Sequence, residues 1–296
     1  MSKKILITGA GGFVGKNLYQ YLVEKKYDVL GIGKTAKESV DKVVDISDPV
    51  ALNEVLETWK PDQIVHLAAL SNVEKCEVER GLAYAQNVKP VETLTTWANT
   101  YNKRIIFVST DYVFDGEAPA DGFTENDTER PLQYYGETKL QGEHIVSTLQ
   151  QYVIVRPTVI YGWDRDGMNF FMQLYRNQRD KKTMNIPTDQ VNNPTSVVDL
   201  CHLLEKIIQR DDVVGTFIAT GNETFGRYDF AVQIAEHMGW DTHLLLPVST
   251  QQLGQVAKRP LHNATSNKKV VQEFSFSFAS LDQHVTEIRE QMKKHI

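Results

Sequence analysis

Short apolar runs alternate with stretches of helical spacing from the start of the chain. Lys4–Thr8 reads as a strand, and Val14, Leu18, Tyr21 and Leu22 then mark one face of a helix. Further strands are predicted at 29–32, 43–44, 64–69, 104–109 and 153–156. Strands alternating with helices predict an α/β fold, a parallel sheet covered on both faces and, with right-handed crossovers, doubly wound. After Arg156-Pro157 the pattern changes to turn-rich loops at 162–167 and 187–194. A helix at 197–208 and a strand at 216–220 then return to the sheet. Near the end, Ser280 is a candidate N-cap with Gln283 three residues on, and Leu281, Val285, Ile288 and Met292 form a helical stripe. The expected division is a larger domain, 1–160 plus 197–220, and a smaller discontinuous C-terminal lobe, 161–196 plus 221–296.

Composition narrows the class without naming a function. The 296 residues are 41% hydrophobic and 24% charged, ordinary values for a globular protein. The formal net charge of −6, without basic blocks, argues against a nucleic-acid partner. Two cysteines, Cys76 and Cys201, make no disulfide framework and read as small core residues, which suits a reducing, cytoplasmic setting. The apolar run after Lys3-Lys4 is broken at once by Thr8 and Gly9, and no stretch reaches the length of a membrane span. The eight histidines show no ligand spacing, so no metal is expected; His66, inside a strand, reads as a satisfied core histidine.

Thr8-Gly9-Ala10-Gly11-Gly12-Phe13-Val14-Gly15 follows a strand and opens a helix, the context that gives a glycine-rich segment meaning. Gly9 permits a tight turn, Gly12 lets the backbone approach a diphosphate, and Gly15 lets the helix pack on its strand. Phe13 and Val14 bring free N–H groups of the helix start to the same anion. The larger domain is therefore expected to be a dinucleotide-binding domain of the Rossmann type. After the second strand stands Gly33-Lys34, with no carboxylate for a ribose diol. Lys34 suits a 2′-phosphate, which favours NADPH with NADH as the second choice; Lys37 is equally well read as a solvated lysine. Asp45 and Ile46 are candidates for the adenine side, with a turn-forming role open for Asp45.

A second constellation carries chemistry. The predicted fifth strand ends in Ser109-Thr110, and Tyr135-Gly136-Glu137-Thr138-Lys139 places a phenol and an amine four residues apart on one helix face. Reducing a carbonyl requires a hydride and a proton for the emerging alkoxide. Tyr135 would supply the proton, with the ammonium of Lys139 lowering its pKa. Thr110 would donate a hydrogen bond to the carbonyl oxygen.

These residues resemble the extended short-chain dehydrogenase/reductase family, and within it the nucleotide-sugar reductases of the dTDP-4-dehydrorhamnose type. The most specific stretch is Ser109-Thr110-Asp111-Tyr112-Val113-Phe114-Asp115-Gly116, followed by Tyr135-Gly136-Glu137-Thr138-Lys139 and Gly142-Glu143. Asn169-Phe170, Asp189-Gln190, Pro194-Thr195 and Arg259-Pro260 continue it in order. The resemblance implies that Thr110, Tyr135 and Lys139 are the catalytic set. It also implies that Ala68, Ala69 and Asn87 line the nicotinamide side and that Pro157 and Thr158 cover the cofactor. Asp111, Tyr112, Trp163, Asn169 and Arg259 become candidate substrate contacts; a hydrophobic plug is the alternative for Trp163 and a plain surface arginine for Arg259. The implied reaction is NADPH-dependent reduction of a nucleotide-linked 4-keto sugar.

Two other readings stand beside it. Similar proteins serve as NADP-binding regulatory subunits of methionine adenosyltransferase, and fold alone does not settle function. A nucleotide-sugar epimerase or dehydratase with bound NAD is disfavoured, since dehydratases carry an acidic pair after the threonine and here Tyr112 follows Asp111. The amphipathic helices suit either a homodimer interface or burial within a monomer.

Overall fold

The computed structural model describes residues 3–293. Its strands are β1 (Lys4–Thr8), β2 (Asp28–Gly33), β3 (Lys42–Val43), β4 (Gln63–His66), β5 (Arg104–Val108), β6 (Tyr152–Arg156), β7 (Met184–Pro187), β8 (Val191–Asn192), β9 (Gly215–Ile218), β10 (Phe225–Gly226) and β11 (Leu245–Val248). The helices are α1 (Phe13–Glu24), α2 (Pro49–Trp59), α3 (Val73–Val78), α4 (Arg80–Asn87), α5 (Lys89–Thr100), α6 (Tyr134–Val146), α7 (Phe170–Arg179), α8 (Val197–Gln209), α9 (Arg227–Met238), α10 (Lys268–Phe274) and α11 (Leu281–Lys293). Seven strands form a parallel sheet in the order β3-β2-β1-β4-β5-β6-β9. The strand order reverses between β1 and β4, which opens a crevice beyond their carboxyl ends, the place where such sheets take ligands.

Both faces of the sheet are buried, which is why its strands read as apolar runs. Ile5 and Ile7 pack with Leu18 and Leu22 of α1 and Leu200 and Leu204 of α8. Leu6, on the opposite face, packs with Leu52 and Leu56 of α2 and Leu94 and Trp97 of α5. A third apolar cluster lies off the sheet: Phe171 and Leu174 of α7, Phe230 and Ile234 of α9, and Val285 and Ile288 of α11. The predicted N-terminus of α11 is present, with the Ser280 N–H donating to Gln283 Oε1 (3.0 Å) and the Gln283 N–H to Ser280 Oγ (3.4 Å).

Three expectations are corrected. The fourth strand stops at His66 instead of Ala69, because the N–H groups of Leu67 and Ala68 turn to the Thr8 hydroxyl (3.3 Å each). The third strand lies one residue early, at Lys42–Val43. Residues 268–278, assigned from the sequence to the smaller lobe, pack on the sheet: Val270, Phe274, Phe276 and Phe278 share a cluster with Val153, Val155 and Phe217. The alternation of Phe274, Phe276 and Phe278 is the signal of that burial, and Phe274 meets Phe217 edge-on at 5.3 Å.

Strand β8 joins two distant parts of the chain. It pairs antiparallel with β10 on one edge, Val191 opposite Gly226. On the other edge the Val191 N–H donates to Leu261 O (2.6 Å), and Val191 O accepts from the Asn263 N–H (2.9 Å). Among the described residues no helix is long and apolar enough to cross a membrane.

Candidate active site

A cavity of about 760 Å³ runs along the carboxyl ends of the sheet. Gly9, Gly12, Phe13, Val14 and Gly15 line its middle, Lys34, Asp45 and Ile46 one end, and Thr110, Tyr135 and Lys139 the other, with Ala68, Ala69 and Pro157 between. Residues separated by more than 100 positions in sequence thus meet around one space.

The glycines are required by contact. Gly9 has φ +71°, and a Cβ there would lie 2.7 Å from the Ala68 nitrogen. A Cβ on Gly15 would strike the Gly9 carbonyl oxygen and reach within 2.8 Å of Ala10 Cα. Gly12 caps α1 without a side-chain hydrogen bond, so the first-turn N–H groups remain for an anion in the cavity. Such a cradle fits the diphosphate of a dinucleotide. At the far end Lys34 pairs with Asp45 at 2.8 Å, and that bond holds the Asp45 carboxyl below the usual range. Lys37 is turned away to the Gly11 carbonyl (2.7 Å).

The reactive end is built on α6 and the end of β5. Gln133 caps α6, its Oε1 accepting from the Gly136 N–H at 2.7 Å. Glu143, two turns past Tyr135, is gripped by Arg156 of β6 (3.0 and 2.5 Å), a buried ion pair that fixes the helix against the sheet. Tyr135 is thereby held beside Thr110. Burial pushes its phenol well above the ordinary value; Cys76, Asp111 and Tyr112 add to this, and a hydrogen bond with Thr110 opposes it. Lys139 is buried at the cavity wall, with Nζ 4.0 Å from the centre of the Phe107 ring. Burial draws its pKa down to about 7, against the pull of Glu143. The sequence expectation that Lys139 lowers the pKa of Tyr135 is thus not met in the free protein: the phenol stays protonated, and it is the amine whose charge is weakened.

Several polar residues expected to face ligands instead hold the site together. Asn87 is buried under the loop after β4, accepting from the Leu70 N–H (2.7 Å) and donating to Thr138 Oγ1 (3.0 Å). It is Gln86 that borders the cavity. Asp111 Oδ2 accepts from Thr158 Oγ1 (2.6 Å) and from Asn263 Nδ2 (2.8 Å), so Asp111 and Thr158 satisfy one another out of reach of the cavity. Tyr112 lies behind Tyr135, edge to face at 6.4 Å. Trp163 is a plug in the off-sheet cluster, edge-on to Tyr175 at 5.4 Å. Arg259 is paired with Glu74 at 2.8 Å. Asn169 does border the cavity, while its Oδ1 caps α7 through the Met172 N–H (3.3 Å).

His66 is only half satisfied. Its Nδ1 meets Thr8 Oγ1 at 2.7 Å, but Nε2 is buried without a partner among the described residues. Burial, with the charge of Lys139 nearby, lowers its pKa to about 3 and keeps the ring neutral. Sequence reasoning also missed Ser71 and Ser47, which border the cavity from the loops after β4 and β3. Their position just past a strand's carboxyl end was the available signal.

The resemblance of this arrangement to known proteins is extensive. The dTDP-4-dehydrorhamnose reductase of Aggregatibacter actinomycetemcomitans is 30% identical over 97% of this chain and 98% of its own length. Methionine adenosyltransferase 2 subunit beta of Xenopus laevis is 30% identical over 86% of this chain and 77% of its own. The crystal structure of dTDP-4-dehydrorhamnose reductase from Bacillus anthracis in complex with NADP superposes with a TM-score of 0.89 at 28% identity, covering 98% of this chain and 100% of that one. Residues 3–294 match the RmlD substrate binding domain family from end to end. With the glycine cradle, the tyrosine–lysine helix and the sheet order all in place, the chain belongs to the RmlD substrate binding domain family.

Proposed function

We propose that the protein reduces the 4-keto group of a dTDP-linked deoxysugar of the 4-dehydrorhamnose kind, with NADPH as reductant. The observation that carries this reading is the convergence of Thr110, Tyr135 and Lys139 at one end of a single cavity whose middle is the glycine cradle. The first-turn N–H groups of α1 hold the diphosphate, Lys34 meets the 2′-phosphate, and Ala68, Ala69 and Pro157 border the nicotinamide. Bound NADPH supplies a hydride to the carbonyl carbon. Thr110 donates a hydrogen bond to the carbonyl oxygen and stabilises its growing charge. Tyr135 gives its phenolic proton to the same oxygen, completing the alcohol; its raised pKa keeps that proton in place across physiological pH. Lys139 bonds the ribose and, where charged, steadies the phenolate left behind. Asn169 borders the side from which the sugar enters. In this reading the off-sheet lobe borders the sugar through Met168 and Asn169, and two free cysteines suit a reducing cytoplasm.

NADPH absorbance followed with dTDP-4-dehydro-6-deoxy-L-mannose tests the assignment. Oxidation should depend on the sugar, and Tyr135→Phe should lower kcat by about 100-fold or more while cofactor affinity holds. Undiminished turnover in that variant removes Tyr135 as proton donor. A second reading rests on the likeness to methionine adenosyltransferase 2 subunit beta: NADPH binding without oxidation, together with capture of a methionine adenosyltransferase, would favour a regulatory role.

A further inference from the structure

Between β6 and α7 the chain runs through a loop that touches both halves of the molecule. Asn169, the N-cap of α7, closes the base of that loop by donating from Nδ2 to the Gly162 carbonyl (3.1 Å). Inside it the chain turns on itself: the Gly167 N–H donates to the Asp164 carbonyl (2.8 Å) and the Asp166 N–H to Asp164 Oδ1 (3.2 Å). On one flank Arg176 of α7 holds the turn, its guanidinium donating to the carbonyls of Arg165 (3.3 Å) and Gly167. On the other flank the Asp164 carboxylate is paired with Lys16, in the first turn of α1. Asp164 is only 6% exposed, and among the described residues Lys16 is the one cation paired with it.

A carboxylate withdrawn from water is costly unless it is paired, so the charge at 164 calls for a reason. Closing the local turn is not one: an asparagine oxygen accepts from the N–H two residues on just as well. The charge serves the contact with Lys16, which joins the loop to the helix that begins at the glycine cradle. A second contact joins the same two parts. A Cβ on Gly162 would lie 2.8 Å from Val197 Cγ1 and 3.3 Å from Phe13 Cζ, so the start of the loop is pressed against the first residue of α1. Directly after the turn come Met168, 72% exposed, and Asn169, and both border the cavity. The stretch of wall that they form is therefore set from two sides, by α7 through Arg176 and by α1 through Lys16.

We infer that Asp164 is a positioning residue for the sugar side of the cavity: through Lys16 it straps residues 163–168 to the cofactor-binding helix and so fixes where Met168 and Asn169 stand. Lys16 does not itself line the cavity, and its N–H is spent on the Gly12 carbonyl (3.0 Å), so its ammonium acts on the loop. One helix then supports both ligands. Its first-turn N–H groups face the diphosphate, and its next side chain outward anchors the wall that the sugar meets. The inference rests on the reductase reading for the identity of that sugar; the strap itself does not.

Hydrogen exchange read by mass spectrometry tests the strap without turnover. With NADPH bound, Lys16→Met should exchange the amides of 163–168 about tenfold faster than wild type, while peptides from α7 and from the sheet exchange as before. Lys16→Arg, which keeps the cation, should match wild type. Should Lys16→Met exchange faster throughout, Asp164→Asn, which keeps the turn, carries the exchange test. In steady state Lys16→Met and Asp164→Asn should each raise KM for the keto sugar about five- to twentyfold, with kcat and NADPH affinity within about twofold, and the double variant should be no worse than either. Unchanged exchange of 163–168 overturns the strap whether or not the sugar is turned over. Faster exchange with an unaltered KM overturns the positioning role. A loss of NADPH affinity in Lys16→Met that Asp164→Asn does not share assigns Lys16 to the cofactor and also overturns the inference. If wild type fails to oxidise NADPH with the keto sugar while exchange still answers to Lys16, the reductase reading falls and the strap stands.

Discussion

Replacing Lys139 with methionine is expected to stabilise the free protein while abolishing its turnover. Lys139 is 2% exposed, and Glu143, the carboxylate nearest in charge, is taken by Arg156. Burial lowers the amine from 10.5 to about 7. At about 1.4 kcal/mol for each tenfold change in proton affinity, that fall corresponds to about 5 kcal/mol of strain in the charged form. Because the folded-state value is the lower one, the unfolded chain binds more protons between about pH 7 and 10.5. Wild-type stability should therefore rise with pH through that window. Below about pH 7 both states carry the charge and the cost is complete; above 10.5 it is gone. Methionine fills a similar volume without the charge, and gives up a contact with the Phe107 ring worth about 1 kcal/mol. The variant should exceed wild type by about 4 kcal/mol at pH 6 and by about 1 kcal/mol at pH 9. Urea unfolding of the cofactor-free proteins at the two pH values measures both gaps. An equal gap at both, or a methionine variant that is the weaker at pH 6, would refute the claim that the site stores the cost of a buried ammonium.

Two further outcomes follow from the cofactor end of the cavity. Asp45→Asn should release Lys34 from its exposed ion pair and raise the ratio of NADPH to NADH affinity by up to about fivefold, as read by fluorescence titration; a ratio that does not rise would take Lys34 out of 2′-phosphate recognition. Gly15→Ala should push α1 off the Gly9 turn, cost about 1–3 kcal/mol of stability and weaken NADPH at least tenfold, and an affinity equal to wild type would show that the cradle does not hold the diphosphate.

Much of the sheet was legible because a parallel strand buried on both faces must be apolar throughout, and 4–8, 104–108 and 152–156 are short apolar runs bounded by turns. Gly9, Gly15, Tyr135 and Lys139 were legible for a related reason. Each is fixed by local geometry: a positive φ, a close helix approach, a separation of one helical turn. What stayed hidden depends on partners far along the chain. Asp111 looks like a substrate contact until Asn263, 152 positions away, is found donating to it. Arg259 looks like a phosphate ligand until Glu74, 185 positions away, takes its charge. Nothing near Phe274 in sequence reveals that Phe217 lies beneath it.

The polar groups around the cavity divide by whether the chain itself satisfies them. Asn87, Asp111, Thr158 and Glu143 each have their partners within the protein, and each ties together elements that would otherwise move apart: α4 to the loop after β4, β5 to the C-terminal segment, α6 to β6. Satisfied groups of this kind position; they have little left to offer a ligand. Lys139 is the converse, a buried cation over the Phe107 ring with no acceptor for its donors among the described residues. Its unmet charge raises the energy of the free protein and lowers that of a complex with an oxygen-rich molecule that meets it. Its position was legible in the sequence, but the burial that weakens its charge was not. A lysine in a sequence carries the same charge everywhere; what marks Lys139 in the folded chain is its burial at the cavity wall with no acceptor among the described residues.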